Sequence, residues 1–204
     1  MKVVAVSQRV DVYADRNETR DALDQRLPTF LAAANLVTVA VPNGLVKSDT
    51  VGEKQAALED WLAVVKPVGV VLSGGNDVGG RIDRDLTEHV LYRYAAQHNL
   101  PLLGICRGMQ MMAAIAGAEL KKIDGHVRTR HILAGEITGS VNSYHNLTLA
   151  KCPDGYRVMA RSEEGAIEAI GHNDRPWQGW MWHPEREVPF ERSDIERLDA
   201  LFNG

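Results

Sequence analysis

A strand-to-helix turn around Cys106 constrains the fold of this chain more than any other stretch. The apolar run 102–105 is typical of a buried strand, and residues 109–115 are typical of a helix. Cys106 lies between them, flanked by Gly104 and Gly108, where a Cβ would crowd a sharp turn. The turn places the thiol at a helix N-terminus, which stabilises a thiolate. The pattern predicts that Cys106 is a nucleophile; the alternative is a small buried hydrophobe, the usual state of a lone cysteine.

Strands and helices alternate along the first half of the chain. The predicted strands are 3–6, 36–41, 69–72 and 102–105, and the predicted helices are 20–35, 53–65, 86–98 and 109–115. This alternation predicts an α/β three-layer sandwich, with a mostly parallel sheet between helices. Residues 119–181 contain short strand-like segments separated by glycines, so we expect a smaller antiparallel portion there, followed by a helix over 193–202.

Composition excludes several classes of function. With 204 residues, of which 45% are hydrophobic, the chain fits one domain spanning 1–204. The net charge of −4, without a long basic run, argues against nucleic acid and favours a small-molecule partner. Cys106 and Cys152 cannot form a disulfide framework, and no Cys/His spacing typical of zinc appears, so no metal or cofactor is predicted. We expect no signal peptide, no membrane span and a cytoplasmic location; a homodimer is left open.

Several chemically distinctive residues follow predicted strands. Gln8 and Arg9 follow the first strand, Gly74 and Gly75 the third, and Cys106 the fourth. Ligands of open parallel sheets bind outside the carboxyl ends of the strands, so we expect these residues to share one edge.

A candidate base occurs near the C-terminus, in the run His183-Pro184-Glu185. Pro184 disfavours helical backbone at His183, and in extended backbone residues two apart share a face. Glu185 is therefore expected to orient the imidazole, with Glu187 as a more distant rival. The alternative is an ordinary histidine at the end of a strand.

Three motifs, in their order along the chain, resemble the class I glutamine amidotransferase superfamily. They are Leu-Ser-Gly-Gly-Asn-Asp at 72–77, Gly-Ile-Cys-Arg-Gly-Met-Gln at 104–110 and His-Pro-Glu at 183–185. The resemblance covers essentially the whole chain and implies a flavodoxin-like fold. Because Arg107 directly follows the cysteine, the chain is similar to the free-standing γ-glutamyl hydrolases within this superfamily. The runs 7–9, 142–146, 167–169 and 181–187 resemble the γ-glutamyl-CDP-amidate hydrolases of capsule phosphoramidate synthesis, which release cytidine diphosphoramidate.

The resemblance implies a role for each matching residue. Cys106 attacks the γ-carbonyl of a glutamyl amide, His183 acts as base and then acid, and Glu185 holds the imidazole ring. The backbone N–H groups of Gly75 and Arg107 form the oxyanion hole. Water then hydrolyses a γ-glutamyl thioester without a metal.

The resemblance also implies residues that bind the substrate. Gln110 and the backbone around Ser143 and Tyr144 contact the glutamyl group. The phosphates of a nucleotide-linked leaving group need cationic partners, and Arg9 is placed for this role. Weaker candidates are Arg128, Arg130 and His131.

Other functions remain open at this point. The same chemistry serves a γ-glutamyl-γ-aminobutyrate hydrolase, or the glutaminase subunit of an amidotransferase that passes ammonia to a partner. A non-catalytic protein that binds a γ-glutamyl ligand is the alternative of another class.

Overall fold

The computed structural model describes residues 1–46 and 50–204. The strands in this part of the chain are β1 (Lys2–Val6), β2 (Arg9–Tyr13), β3 (Glu18–Ala22), β4 (Leu36–Ala40), β5 (Gly69–Leu72), β6 (Leu102–Ile105), β7 (Leu120–Lys122), β8 (Val127–Gly135), β9 (Gly139–Tyr144), β10 (Leu147–Leu149), β11 (Tyr156–Arg161), β12 (Ile167–His172) and β13 (Trp177–Trp180). The α-helices are α1 (Arg26–Ala33), α2 (Val51–Val65), α3 (Ile82–Gln97), α4 (Arg107–Ile115) and α5 (Arg192–Asn203).

A central sheet contains strands in the order β4-β1-β5-β6-β13-β12-β11-β8-β9. Neighbours from β4 to β13 are parallel, and neighbours from β13 to β9 are antiparallel. This architecture confirms the predicted α/β class with an antiparallel portion in the C-terminal half. β13 is the junction, because it pairs in parallel with β6 and antiparallel with β12.

Apolar side chains cover both faces of the sheet and make the fold three-layered. One face packs against α1 and α5, where Phe30 and Phe202 are buried. The other face packs against α2, α3 and α4, where Leu58 and Met109 are buried. Each buried large apolar side chain contributes about 1.5–3 kcal/mol relative to an exposed one. In the described residues, no helix is both long and apolar enough to cross a bilayer.

The predicted helix over 20–35 was wrong in its first part. Its N-terminal residues belong to β3, which pairs with β2 in an antiparallel hairpin, and α1 begins only at Arg26. Exposed ion pairs such as Arg20–Glu18 suit the solvent face of a hairpin, and pairing with β2 supplies backbone hydrogen bonds that a helix would have made internally. The Asp24 carboxylate accepts from the Arg26 backbone N–H at the helix start. Arg9 therefore begins a hairpin strand.

Register between two strands positions the site. Trp180 of β13 pairs with Ile105 of β6, and one residue further on Cys106 N–H donates to Trp180 O at 2.7 Å. Because β6 and β13 are parallel neighbours, the segments that follow them leave the sheet at the same edge. Cys106 and His183, 77 positions apart in sequence, therefore emerge close together.

Candidate active site

The backbone at Cys106 forms a sharp elbow between β6 and α4. Cys106 has φ 50° and ψ −105°, a conformation rare for residues with a Cβ. A Cβ at Gly108 would overlap the Leu72 carbonyl oxygen, and one at Gly104 would lie 2.6 Å from Met109 N. The flanking glycines let α4 approach the sheet this closely. The buried thiol consequently lies at the N-terminus of α4, where partial positive charge stabilises a thiolate.

His183 bridges the predicted nucleophile and the predicted orienting carboxylate. Its ring interacts electrostatically with Cys106, and its Nδ1 lies 2.6 Å from Glu185 Oε1. All three side chains are buried. Burial alone would lower the pKa of His183, but hydrogen bonds to Cys106 and Glu185, together with their negative charge, raise it to about 9. At neutral pH this arrangement holds an imidazolium beside the sulfur.

The predicted backbone of this motif was wrong at Glu185. His183 is non-helical, with φ −110° and ψ 86°, as expected before proline, but residues Pro184–Arg186 form a 3-10 turn. The turn, rather than extended alternation, brings the Glu185 carboxylate back to the imidazole. A proline at the first helical position favours such a turn. Glu187 instead accepts from Asn142 and Arg130, at 2.8 Å each.

Asn142 clamps the backbone of His183, a role that the sequence does not reveal. Its side-chain Nδ2 donates to His183 O at 2.8 Å, and His183 N–H donates to its Oδ1 at 2.9 Å. A paired amide contact of this kind fixes both position and rotation of the peptide. The family resemblance of the run 142–146 is the available signal, but it assigns no role to the first residue of that run.

A glycine loop after β5 passes beside the imidazole and the elbow. Gly75 has φ 130°, and a Cβ at Gly74 would lie 2.7 Å from His183 Cε1. The carbonyls of Ser73 and Gly74 accept hydrogen bonds from Arg84 Nη2 at 2.6 and 3.0 Å. The loop is therefore held from below by a buried guanidinium, and its glycines allow close approach to the site.

Arg84 belongs to a buried charge network that sequence inspection missed. Its Nε donates to Glu88 Oε1 at 2.9 Å, and the Ser7 hydroxyl donates to the same oxygen at 2.7 Å. Arg107 pairs with Glu88 and Asp85, and its Nε donates to Asn76 O at 3.0 Å. We name Arg84, Asp85, Glu88 and Arg107 the arginine network.

The arginine network is electrostatically linked to the thiol. Burial lowers the pKa of Arg84 and Arg107, whereas neighbouring carboxylates oppose this shift, so both guanidiniums stay charged at neutral pH. Negative charge on Cys106 raises the pKa of Arg84. The side chain of Arg107 points into the network, which leaves only its backbone N–H for the elbow.

The predicted glutamyl-binding residues have different surroundings. Gln110 is buried, and its Nε2 donates to Leu147 O at 3.0 Å. The Ser143 hydroxyl donates to His126 O at 2.7 Å, so its side chain is already engaged. Tyr144 is 41% exposed, with its ring edge-on to His183 at 5.9 Å between centroids. Tyr144 thus shields one side of the imidazole.

A cavity of about 270 Å³ opens beside the imidazole. Its lining includes Arg9, Gly75, His183, Glu185 and Arg186. Arg9 is half-exposed at this cavity and pairs with Asp11. Arg186, which sequence analysis missed, stacks on the Tyr144 ring at 4.6 Å, and its position directly after the His-Pro-Glu run was the available signal.

The weaker cationic candidates lie elsewhere. Arg130 is exposed and pairs with Glu187. Arg128 lies in β8 at an irregularity in its pairing with β9, and its φ is 58°. His131 is buried next to His126 and His145, and it does not line the cavity beside His183.

A larger cavity, of about 800 Å³, lies between the hairpin, α2 and α3. Its described lining includes Asp21, Lys54 and Asp83 but no cysteine or histidine. The smaller cavity, by contrast, is lined by the candidate base His183 and by Glu185.

Comparison with known families decides the classification of this arrangement. A family described as glutamine amidotransferase class-I matches residues 29–197. The chain belongs to this family. The match includes the elbow, the glycine loop and His183.

Individual relatives carry two different activities. A γ-glutamyl-CDP-amidate hydrolase of Campylobacter jejuni is 32% identical over 124 residues, which are 58% of this chain and 62% of the relative. A glutamine-hydrolysing GMP synthase subunit of Methanothrix thermoacetophila is 33% identical over 129 residues, 58% of this chain and 71% of the relative. The match therefore spans less than two thirds of the Campylobacter protein.

A solved structure supports the fold over the full length of this chain. A protein from Thermoplasma acidophilum, described as a GMP synthase subunit, superposes with a TM-score of 0.69 at 20% identity, covering 100% of this chain and 95% of that one. At this identity the likeness supports the fold alone.

Proposed function

We propose that this protein hydrolyses a γ-glutamyl amide through a covalent thioester on Cys106. The observation that carries the proposal is the bridging position of His183, which interacts electrostatically with Cys106 on one side and lies 2.6 Å from Glu185 Oε1 on the other. A nucleophile, a base and a group that orients the base are what covalent amide hydrolysis requires.

In the first half-reaction, Cys106 Sγ bonds to the γ-carbonyl carbon and a tetrahedral oxyanion forms. The backbone N–H groups of Gly75 and Arg107 are proposed to stabilise this oxyanion, helped by the positive end of α4. The C–N bond then breaks, and the nitrogen leaves with the proton held by His183.

In the second half-reaction, His183 accepts a proton from water, which attacks the thioester carbonyl. The C–S bond breaks, glutamate is released, and His183 returns to the protonated state beside the thiolate. Glu185 holds the ring in one orientation throughout, because its carboxylate occupies Nδ1.

For the leaving group we propose a nucleotide diphosphoramidate, as in γ-glutamyl-CDP-amidate. Arg9 and Arg186 line the cavity beside His183, and cationic side chains there favour phosphate groups. The Campylobacter relative acts on this substrate by name, which supports the same choice here.

A glutaminase that supplies ammonia to a partner is the second candidate. It is favoured by the sequence match to a glutamine-hydrolysing GMP synthase subunit. Such a protein would act on glutamine and depend on its partner for full activity.

One experiment separates these proposals. Purified protein alone is incubated with glutamine, γ-glutamyl-γ-aminobutyrate and γ-glutamyl-CDP-amidate, and glutamate release is measured for each. Fastest release from the CDP-amidate supports our proposal. Cleavage of glutamine alone, and only after a synthetase partner is added, would transfer support to the glutaminase. No release from any amide, with the ligand nevertheless bound, would indicate a non-catalytic binding protein.

A further inference from the structure

Three histidines and one glutamate converge in the antiparallel half of the sheet, away from the elbow. We name His126, His131, His145 and Glu168 the histidine cluster. All four side chains are buried, and the ligand atoms they offer lie within 4.8 Å of one another. His131 lies in β8 and Glu168 in β12, whereas His126 directly precedes β8 and His145 directly follows β9.

The carboxylate of Glu168 has an unusual environment for a buried charge. Its side chain is 0% exposed, and neither oxygen has a hydrogen-bond partner. Its neighbours at ion-pair distance are His126 Nδ1 and His145 Nε2, both 3.5 Å from Oε1, and no Lys or Arg of the described residues pairs with it. Contacts of 3.5 Å exceed the usual hydrogen-bond range. A buried carboxylate is strongly destabilising unless another charge compensates it.

The separations between these atoms match a metal coordination sphere. His126 Nδ1 lies 3.3 Å from His145 Nε2, so three ligand atoms form a triangle with sides of 3.3, 3.5 and 3.5 Å. In a tetrahedral zinc site with metal–ligand distances of about 2.0–2.1 Å, two ligand atoms lie about 3.3–3.4 Å apart. The triangle therefore has the size of one face of such a tetrahedron.

The outward-facing atoms of the cluster are suited to orient metal ligands. His145 Nδ1 donates to Leu147 O at 3.0 Å, which leaves the Nε2 lone pair directed at the cluster. His126 Nε2 lies 3.4 Å from a Glu164 carboxylate oxygen, which leaves Nδ1 as the inward ligand. Carbonyl and carboxylate partners of this kind fix the tautomer of metal-bound histidines. His131 has a buried Nε2 without a hydrogen-bond partner, which leaves this atom available to bind a metal ion.

The geometry points to a structural zinc site formed by His126 Nδ1, His145 Nε2, His131 Nε2 and Glu168 Oε1. Three imidazoles and a carboxylate suit Zn²⁺, and four protein ligands with no exposed position are typical of a structural rather than a catalytic site. The ion would supply the positive charge that Glu168 lacks. The ion would take no part in the proposed hydrolysis, and the zinc site does not depend on that proposal.

The location of the cluster gives the site a structural purpose. Leu147 O accepts from His145 Nδ1 and also from Gln110 Nε2 on the elbow helix. A bound ion would therefore fix the segment 142–147 against α4, including Asn142, which holds His183. The sequence prediction of no metal relied on regular ligand spacing, whereas these ligands are brought together by strand pairing.

Metal content tests this inference directly. Untagged protein is purified without chelators and analysed by inductively coupled plasma mass spectrometry; metal-free protein is then titrated with ZnCl₂ by calorimetry. We expect one zinc per chain and saturable binding. Glu168→Gln and His145→Ala should each weaken binding by more than about 100-fold, because losing even a hydrogen-bond partner of a metal ligand costs about 10–100-fold. His98→Ala, at an exposed histidine outside the cluster, is the matched control and should bind like wild type.

A second measurement covers variants that fail to fold. Thermal unfolding of wild-type protein is compared before and after zinc removal and after zinc is restored, with Mn²⁺, Fe²⁺ and Ni²⁺ in parallel. A midpoint that rises selectively with zinc supports the site. Wild-type protein that contains no metal and binds none of these ions would overturn the inference, as would a preference for another ion or zinc binding that survives both cluster substitutions.

Discussion

The parallel and antiparallel halves of the sheet each bury a glutamate, but they surround it differently. Glu88, on helix α3 beside the parallel half, contacts two guanidiniums and a serine hydroxyl. Glu168, in the antiparallel half, has two imidazoles at 3.5 Å and no hydrogen bond. The parallel half thus neutralises its buried charge with its own side chains, whereas the antiparallel half requires a charge from outside. Equal burial therefore does not imply equal function.

The same division extends to the candidate active site. The parallel half provides Cys106 and the glycine loop, which are held by short-range packing and by the arginine network. The antiparallel half provides Asn142, which positions His183 through two hydrogen bonds. One half presents the nucleophile, and the other aligns the base.

The largest effect is expected from removing the Cys106 thiol, which the parallel half of the sheet provides. Cys106→Ala should lower turnover by at least about 10⁴-fold, because the covalent route is lost while binding and oxyanion stabilisation remain. Turnover is measured as glutamate release, and the free energy of unfolding in urea should be unchanged. Cys152→Ala, at the other cysteine, should retain activity; near-normal turnover by Cys106→Ala would refute the thioester mechanism.

The next effect compares the two buried glutamates directly. Glu88→Gln should lower the free energy of unfolding by about 3–5 kcal/mol, because it leaves two buried guanidiniums undercompensated. In metal-free protein, Glu168→Gln should be neutral or stabilising, because it removes an unpaired charge. Urea denaturation measures both.

An exposed pair provides the control for this comparison. Glu196→Gln, which removes a solvent-exposed partner of Arg192, should change stability by less than about 0.5 kcal/mol. Equal destabilisation by the two buried substitutions in metal-free protein would remove the distinction between the halves.

The third effect concerns the pH dependence of the base. His183 is protonated below its pKa of about 9 and neutral above it, so the rate of leaving-group expulsion should fall as the pH rises through about 9. In Glu185→Gln the raising influence of the carboxylate is lost, so the alkaline limb of the pH–rate profile should move to lower pH. Glu136→Gln, in an exposed pair with Arg157, should leave the profile unchanged. An unmoved limb in Glu185→Gln would assign it to another group.

The smallest effect is expected at Arg9, in the cavity beside His183. Arg9→Ala should raise KM for γ-glutamyl-CDP-amidate a few-fold, with kcat nearly constant, because an exposed charge contributes weakly and is screened by salt. The increase should shrink at higher ionic strength and be absent for glutamine. Arg16→Ala, at another exposed arginine, is the control. An equal KM increase for both substrates would exclude a role in phosphate binding.

Local features could be predicted from the sequence because residues close together in the chain determine them. The elbow around Cys106 depends on contacts that only glycine permits at 104 and 108, and those constraints appear in a short run of sequence. The helix that was placed too early, over 20–35, shows the limit of periodicity, since hairpin pairing outside the window took its first residues.

By itself, then, the sequence determined the elbow, the strand–helix alternation and the presence of a histidine followed by a carboxylate. Only the tertiary structure decided that Cys106 and His183 meet, because parallel pairing of Ile105 with Trp180 sets where both segments leave the sheet. It also decided the 3-10 turn at Glu185, the clamp by Asn142 and the convergence of the histidine cluster. These arrangements depend on strand register and packing between residues far apart in sequence, and no local pattern encodes such distances.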